Sequence, residues 1–196
     1  MWHGGLKGVN VPNRLTLLRI VLVPVFMVFE LLPITKYHLF IALFIFVIAS
    51  LTDLIDGKLA RRNNQVTNFG KLMDPLADKL LVTAALVGFV QLGLGDVWIA
   101  MIIIARELLV TSLRAVAGNS GTVIAANIWG KVKTVSQMTA IIIVLFLGGL
   151  DQIQGTHGAV YFVIRYSFLW IAAIFTIVSG IQYVWANRKH ISTKNQ

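Results

Sequence analysis

Six long apolar segments constrain the fold of this chain more than any other feature of its sequence. They lie at about 15–32, 37–55, 79–94, 97–117, 132–150 and 161–185. An α-helix needs about 20 predominantly apolar residues to cross the hydrocarbon core of a bilayer, since each residue advances the helix by about 1.5 Å. The sequence therefore predicts an all-α, polytopic membrane protein with six transmembrane helices.

The composition agrees with a membrane protein that has one domain. Of 196 residues, 57% are apolar and 13% are charged, and the mean hydropathy is +0.80. These values leave no room for a separate soluble domain, so we expect a single membrane domain over 1–196. Residues 1–13 form a short polar arm in which Trp2 suits the bilayer interface. The absence of Cys excludes disulfides and cysteine nucleophiles.

The basic residues predict the orientation of the spans in the membrane. One side of the membrane receives little besides Lys36, Asp96 and Asp151. Cytoplasmic loops carry the excess of Lys and Arg, so both termini and the segment 56–79 are predicted to be cytoplasmic, as in a multi-pass protein of the cell membrane. The net charge of +9 then matches anionic headgroups and phosphorylated substrates rather than nucleic acid. The opposite side holds most of the basic residues, namely Lys7, Arg14, five in 56–79, Arg114, Lys131, Lys133, Arg188, Lys189 and Lys194.

Half of the eight acidic residues lie within one segment between the second and third apolar runs. They are Asp53, Asp56, Asp74 and Asp78. The spacings i, i+3 and i, i+4 place each pair on one helical face. A single Asp at a helix end is usually a cap or a solvated residue, but carboxylates near a bilayer are costly and indicate a functional site. Oxygen ligands without thiolates favour Mg²⁺ or Mn²⁺, and the two pairs suit two ions.

Small and basic residues accompany these carboxylates. Gly57, Ala60 and Gly70 lie four residues from an acidic position, so a ligand or another backbone can approach closely. Metal ions flanked by cations suit phosphoryl chemistry, where both share developing negative charge. The cations here are Lys58, Arg61, Arg62, Lys71 and Lys79.

Pro75 leaves two possibilities for the start of the third helix. It either occupies the first turn or lies inside a helix that begins near Thr67 or Asn68. The longer, kinked helix is favoured, because it keeps Gly70, Asp74 and Asp78 on one face.

The whole motif resembles the signature of the CDP-alcohol phosphatidyltransferases. The pattern is Asp-x₂-Asp-Gly-x₂-Ala-Arg-x₈-Gly-x₃-Asp-x₃-Asp, and no position departs from it. The matching residues are Asp53, Asp56, Gly57, Ala60, Arg61, Gly70, Asp74 and Asp78. Periodicity alone indicates a metal site, whereas the substrate, a CDP-diacylglycerol lipid, is implied only by the resemblance.

The resemblance also implies roles for individual residues. The aspartates at 53, 56 and 74 would hold metal, and Asp78 would both bind a metal and act as the general base. Gly57 and Ala60 would admit the cytidine nucleotide, with Gly70 on the same site, while Arg61 and Thr67 would contact the pyrophosphate or the lipid. Members of this family generally form homodimers, so a homodimer is expected.

The first span opens with a polar sequence that resembles the start of the same span in one bacterial branch of this family. Members of that branch use glycerol 3-phosphate as acceptor. Residues 10–16 read Asn-Val-Pro-Asn-Arg-Leu-Thr, and the run from Asp74 to Lys79 is also typical of that branch. Asn13, Thr16 and Arg19 lie close to one helical face and are expected to contribute to the CDP-diacylglycerol site. Capping by Asn13 with snorkelling of Arg19 toward water is the alternative.

Four further cations are candidates for binding the phosphate of the acceptor: Arg106, Arg114, Lys131 and Lys133. Arg binds phosphate through two parallel donors and Lys as a point charge. The adjacent Arg106-Glu107 pair could instead neutralise charge or hold helices together. Lys131 and Lys133 could instead be part of the excess of basic residues that cytoplasmic loops carry. The histidines, His3, His38, His157 and His190, are expected to be interfacial or solvated.

Three alternatives remain from the sequence. The same chemistry could use inositol phosphate, serine or phosphatidylglycerol as acceptor, although an acceptor without phosphate leaves the four cations without a clear role. An ion-coupled transporter would distribute its acids through the membrane depth and often shows a repeated half. A non-catalytic assembly protein would not need Asp78 in register with Asp74.

Overall fold

The computed structural model describes residues 11–62, 68–119, 128–155 and 158–188, with the backbone alone at positions 11–16, 53–62, 68–72, 74, 75, 78 and 116–119. These residues form six α-helices and no strand, which confirms the all-α prediction for the described part of the chain. The helices are α1 (Val11–Leu31), α2 (His38–Arg62), α3 (Asn68–Gln91), α4 (Val97–Asn119), α5 (Ile128–Gln154) and α6 (Ala159–Ala186).

The helices extend beyond the apolar segments, most of all around the acidic motif. α2 continues to Arg62 and α3 begins at Asn68, so both helices extend into the polar segment 56–79 that separates the apolar runs. The apolar window ends where charged residues begin, but Asp, Lys, Arg and Ala continue a helix without difficulty. The start of α3 at Asn68 confirms the longer helix, with Pro75 in its interior.

The chain divides into two compact units, 1–88 and 89–196. In the first unit α1 packs against α2, and the rings of Phe26 and Phe46 meet with their centroids 5.9 Å apart. His38, at the start of α2, is buried, and its Nδ1 lies 2.7 Å from the carbonyl oxygen of Phe29. His38 was expected to be interfacial or solvated, and the second of these expectations is wrong, because its ring joins the end of α1 to the start of α2.

In the second unit α6 packs against both α4 and α5. Apolar side chains fill these contacts, and two polar pairs are buried among them. Gln137 donates from Nε2 to the Thr176 hydroxyl at 2.9 Å, and Arg165 donates to Asp151 at 3.2 Å. The buried apolar residues include Ile99, Ile103, Val110, Ala140, Ile141, Val144, Leu145, Leu169, Ala172 and Ala173.

A tight turn separates the end of α3 from α4. The backbone N–H groups of Leu94 and Gly95 both donate to the carbonyl oxygen of Phe89, and Gly93 has a φ of 67°, which glycine adopts without strain. Asp96 caps α4, since its carboxylate accepts a hydrogen bond of 2.7 Å from the N–H of Trp98. The Gly-Leu-Gly-Asp sequence at 93–96 thus forms a short connection between the two helices.

Length and apolar composition alone qualify α5 and α6, among the described residues, as helices able to cross a membrane. The apolar portions of α2 and α3, His38–Thr52 and Lys79–Gln91, are shorter.

Candidate active site

The acidic motif lies on two continuous helices of the first unit. Positions 53 and 56 share a face of α2, and positions 74 and 78 share a face of α3, because both stretches are helical throughout. Gly57, Ala60 and Arg61 also lie in α2, and Gly70 lies in α3. The side chains at all of these positions, and Thr67 altogether, lie outside the described residues. Their roles therefore remain predictions.

The described side chains contain no group of three or more His, Asp or Glu residues that could hold a metal. The four predicted metal ligands are not among those side chains. What the structure contributes is the helical backbone, which keeps the spacing on which the metal prediction depends.

Arg19 is fully buried on α1, with only 1% of its surface exposed. A charged side chain inside a membrane protein is costly unless it faces a polar interior, and this position favours the interior over snorkelling. Asn13 and Thr16 precede it on the same helix, in the part described by its backbone alone.

Glu107 joins α4 to α5 through one carboxylate oxygen, and its neighbour Arg106 extends the contact to α6. Its Oε1 accepts a hydrogen bond of 2.9 Å from Arg106 and lies 2.5 Å from Nζ of Lys133 on α5. Arg106 also donates from its second terminal nitrogen to the hydroxyl of Ser179 on α6, at 2.7 Å. We call these four residues the Glu107 cluster. Within this cluster of described residues two cations contact one anion, and such a positive balance suits a phosphate ligand.

Of the four predicted phosphate-binding cations, the structure brings Arg106 and Lys133 together. Arg114 lies two turns further along α4, where its guanidinium is 5.4 Å from the ring centre of Tyr183 on α6. Lys131 is exposed on α5 and is not part of the Glu107 cluster. Residues 131 and 133 are about 200° apart on a helix, so one faces inward when the other faces out.

An apolar groove of about 760 Å³ lies between α4 and α6, on another face of α6 from Ser179. Its walls are mostly aliphatic, and Arg106 and Arg188 are the charged residues among the described ones that line it. Arg188 lies over the ring of Trp185, 5.6 Å from its centre. The lining consists of Ala105, Arg106, Leu109, Ile177, Gly180, Ile181, Val184, Trp185 and Arg188.

The sequence analysis missed four residues with polar side chains at helix contacts. Ser179 and Tyr183 are buried on α6 and contact the predicted cations. Their i, i+4 spacing in the sequence could have indicated that the two side chains share one face of the helix. Glu30 is completely buried, and its carboxyl contacts the position where a Cβ on Gly88 would lie. Glu30 could also have been singled out, because it is an acid inside an apolar segment. Nothing in the sequence indicated the contact of His38.

Comparison with known proteins agrees with the sequence motif. Residues 9–178 match the family model described as CDP-alcohol phosphatidyltransferase. A protein of Bacillus subtilis is 42% identical over 202 residues, covering 95% of this chain and 99% of its own length. One of Haemophilus influenzae is 42% identical, covering 89% and 91%, and one of Escherichia coli K12 is 38% identical, covering 91% and 95%. Each of the three is named CDP-diacylglycerol–glycerol-3-phosphate 3-phosphatidyltransferase.

Proposed function

The chain belongs to the CDP-alcohol phosphatidyltransferase family, and from this we propose that it transfers the phosphatidyl group of CDP-diacylglycerol to glycerol 3-phosphate. The products are phosphatidylglycerophosphate and CMP, in the synthesis of anionic phospholipids. The similarity to relatives with this name, 42% identity over 95% of the chain, carries the proposal. The intact eight-position motif supports it independently.

We also propose that 1–196 is one domain that spans the inner membrane six times, with both termini and the active site on the cytoplasmic side. The number of helices and the distribution of Lys and Arg support this topology. A site at that interface admits a soluble acceptor while the acyl chains of the donor stay in the bilayer. A homodimer is proposed from the family resemblance.

The carboxylates of the motif suit two divalent cations. Asp53 and Asp56 on α2, and Asp74 and Asp78 on α3, keep their helical spacing in the structure, and a set of carboxylate oxygens is what Mg²⁺ and Mn²⁺ prefer. These four residues would hold the ions. Bound there, the ions would act as Lewis acids that neutralise charge on the phosphates.

Asp78 would provide the base for the reaction. Its carboxylate accepts the proton of the acceptor hydroxyl, whose oxygen then attacks the phosphorus that carries diacylglycerol. The new bond joins that oxygen to phosphorus, and the bond to the bridging oxygen of the pyrophosphate breaks, so that CMP leaves with that oxygen.

Separate groups of residues would hold the two substrates. We assign the donor to the motif residues Gly57, Ala60, Arg61, Thr67 and Gly70, together with Asn13, Thr16 and Arg19 of the first helix. The acceptor phosphate is assigned to Arg106 and Lys133 of the Glu107 cluster, with Arg114 and Lys131 as further cations. Support for the acceptor site comes from the convergence of two cations on one carboxylate, which leaves charge for an anion.

The test is CMP release by the purified protein in detergent with CDP-diacylglycerol and Mg²⁺ or Mn²⁺. Glycerol 3-phosphate, inositol phosphate, serine and phosphatidylglycerol are offered separately, and chelator serves as the control for metal. We expect release with glycerol 3-phosphate only, and none with chelator. Release with another acceptor alone would correct the acceptor but keep the chemistry. No release with any acceptor would refute the transferase function and favour the alternative of an ion-coupled transporter.

A further inference from the structure

Tyr183 carries a buried hydroxyl that no proposed role yet uses. The residue lies near the end of α6 and is 5% exposed. Its hydroxyl oxygen is inaccessible to solvent and has no hydrogen-bond partner among the described residues. Buried tyrosine hydroxyls usually find a partner, because leaving the group unpaired after removal from water costs stability. An unpaired hydroxyl at this position therefore needs an explanation.

The surroundings of Tyr183 connect it to the proposed acceptor site. Ser179 precedes it by four residues on the same face of α6 and accepts the hydrogen bond from Arg106. The ring of Tyr183 in turn lies beneath the guanidinium of Arg114. Both contacts connect α6 to α4, and both involve an arginine assigned to the acceptor phosphate. Nε of Arg106 is a second buried polar atom without a partner among the described residues.

The apolar groove does not account for the hydroxyl. The groove is lined by Ile177, Gly180, Ile181 and Val184 of α6, and Tyr183 is not among the lining residues. The other side of the helix carries the buried polar residues, including Ser179 and Tyr183. A partner for the hydroxyl must therefore come from the polar face of α6.

We infer that the Tyr183 hydroxyl binds the acceptor, a small phosphorylated polyol, by donating a hydrogen bond to it beside Arg114. The ring would meanwhile hold the Arg114 guanidinium in place by a cation–π contact. This inference rests on the proposed function and adds to it a substrate-binding residue that the sequence did not indicate. Functional sites commonly keep polar groups that are unsatisfied without ligand, at a cost in stability.

The test is Tyr183→Phe, which removes the hydroxyl and keeps the ring. We expect the KM for glycerol 3-phosphate to rise by about 10- to 100-fold, the range for losing a hydrogen bond to a charged ligand. The KM for CDP-diacylglycerol should stay within about twofold of wild type. The Tm without acceptor should be unchanged or higher, since the unpaired hydroxyl is gone. A merely structural tyrosine would show the opposite combination, a lower Tm with both KM values changed alike.

Tyr161→Phe is the matched control. Its hydroxyl donates to Gln154 at 3.0 Å near the other end of α6, outside the proposed site, so neither KM should change. An unchanged acceptor KM in Tyr183→Phe, with an active wild-type enzyme, would overturn the inference and leave the proposed function intact. A wild-type protein that does not release CMP with glycerol 3-phosphate would overturn both.

Discussion

The Glu107 cluster offers a test in which stability and acceptor binding respond separately. Glu107→Gln removes the negative charge that contacts both Arg106 and Lys133. Its oxygen lies 2.9 Å from Arg106 and 2.5 Å from Lys133. The side chains of Glu107, Arg106 and Lys133 are only 18%, 12% and 6% exposed, so water replaces the lost carboxylate only in part. Two nearly buried cations would be left facing each other.

The magnitude follows from this burial. Removing one partner of a buried ion pair costs about 3–5 kcal/mol, because the remaining charge stays desolvated. In a chain of this size 1 kcal/mol shifts the Tm by about 2–4 °C, so Glu107→Gln should lower the Tm by about 6–20 °C. Lys133→Met should change the free energy of unfolding by no more than about 1 kcal/mol. Glu107 still forms its ion pair with Arg106, and the cost of burying the Lys133 ammonium group disappears.

Acceptor binding should respond in the other variant. Lys133→Met removes a cation assigned to the acceptor phosphate, so the KM for glycerol 3-phosphate should rise by about 10- to 100-fold. Thermal unfolding followed by Trp fluorescence in detergent measures the first effect, and CMP release measures the second. Asp151→Asn is the matched control, because it breaks the buried Arg165–Asp151 pair outside the site. It should lower the Tm without changing the acceptor KM.

The double variant Glu107→Gln/Lys133→Met completes the cycle. Lys133 is then absent, and only Arg106 has lost the Glu107 carboxylate as a partner. The Tm should therefore recover part of the loss seen in Glu107→Gln alone. The reasoning is refuted if Lys133→Met lowers the Tm as much as Glu107→Gln, or if Glu107→Gln leaves the Tm unchanged. Either result would mean that the carboxylate does not compensate the two cations.

Three further variants test other parts of the molecule. Asp78→Asn should reduce CMP release by about 10²–10⁴-fold, the usual contribution of a general base, while CDP-diacylglycerol binding persists; full activity would remove Asp78 from that role. Arg114→Ala should raise the KM for glycerol 3-phosphate with little effect on the donor KM, and an unchanged value would exclude it from the acceptor site. Gly88→Ala should lower the Tm at a cost of about 1–3 kcal/mol, because the added methyl group meets the fully buried carboxyl of Glu30. Glu30→Ala in the same chain should restore the loss, and a failure to restore it would contradict this packing.

Periodicity predicted the helices and the acidic faces, because both depend only on residues near in sequence. The apolar segments gave the number of helices, and the need to keep Gly70, Asp74 and Asp78 on one face gave the start of α3 at Asn68. The ends of α2 were less predictable. Hydropathy marks where a membrane ends and not where a helix ends, so the apolar segment 37–55 does not show that α2 continues to Arg62.

Tertiary partners could not be predicted in the same way. Lys131 and Lys133 are equivalent in hydropathy and charge, and only the rotation of α5 decides that Lys133 faces Glu107 while Lys131 is exposed. The sequence likewise does not show which residues Glu30 and His38 contact. Their burial depends on contacts with Gly88 and Phe29, nine or more residues away.

The geometry of the Glu107 cluster depends on α6, a helix in which the sequence analysis placed no site residue. Inside a bilayer lipid chains are as apolar as leucine, so close packing and interhelical hydrogen bonds, and not the hydrophobic effect, hold one helix against another. Gln137 of α5 donates to Thr176, and Arg106 of α4 donates to Ser179. These two hydrogen bonds join α6 to the two helices that carry Lys133 and Glu107.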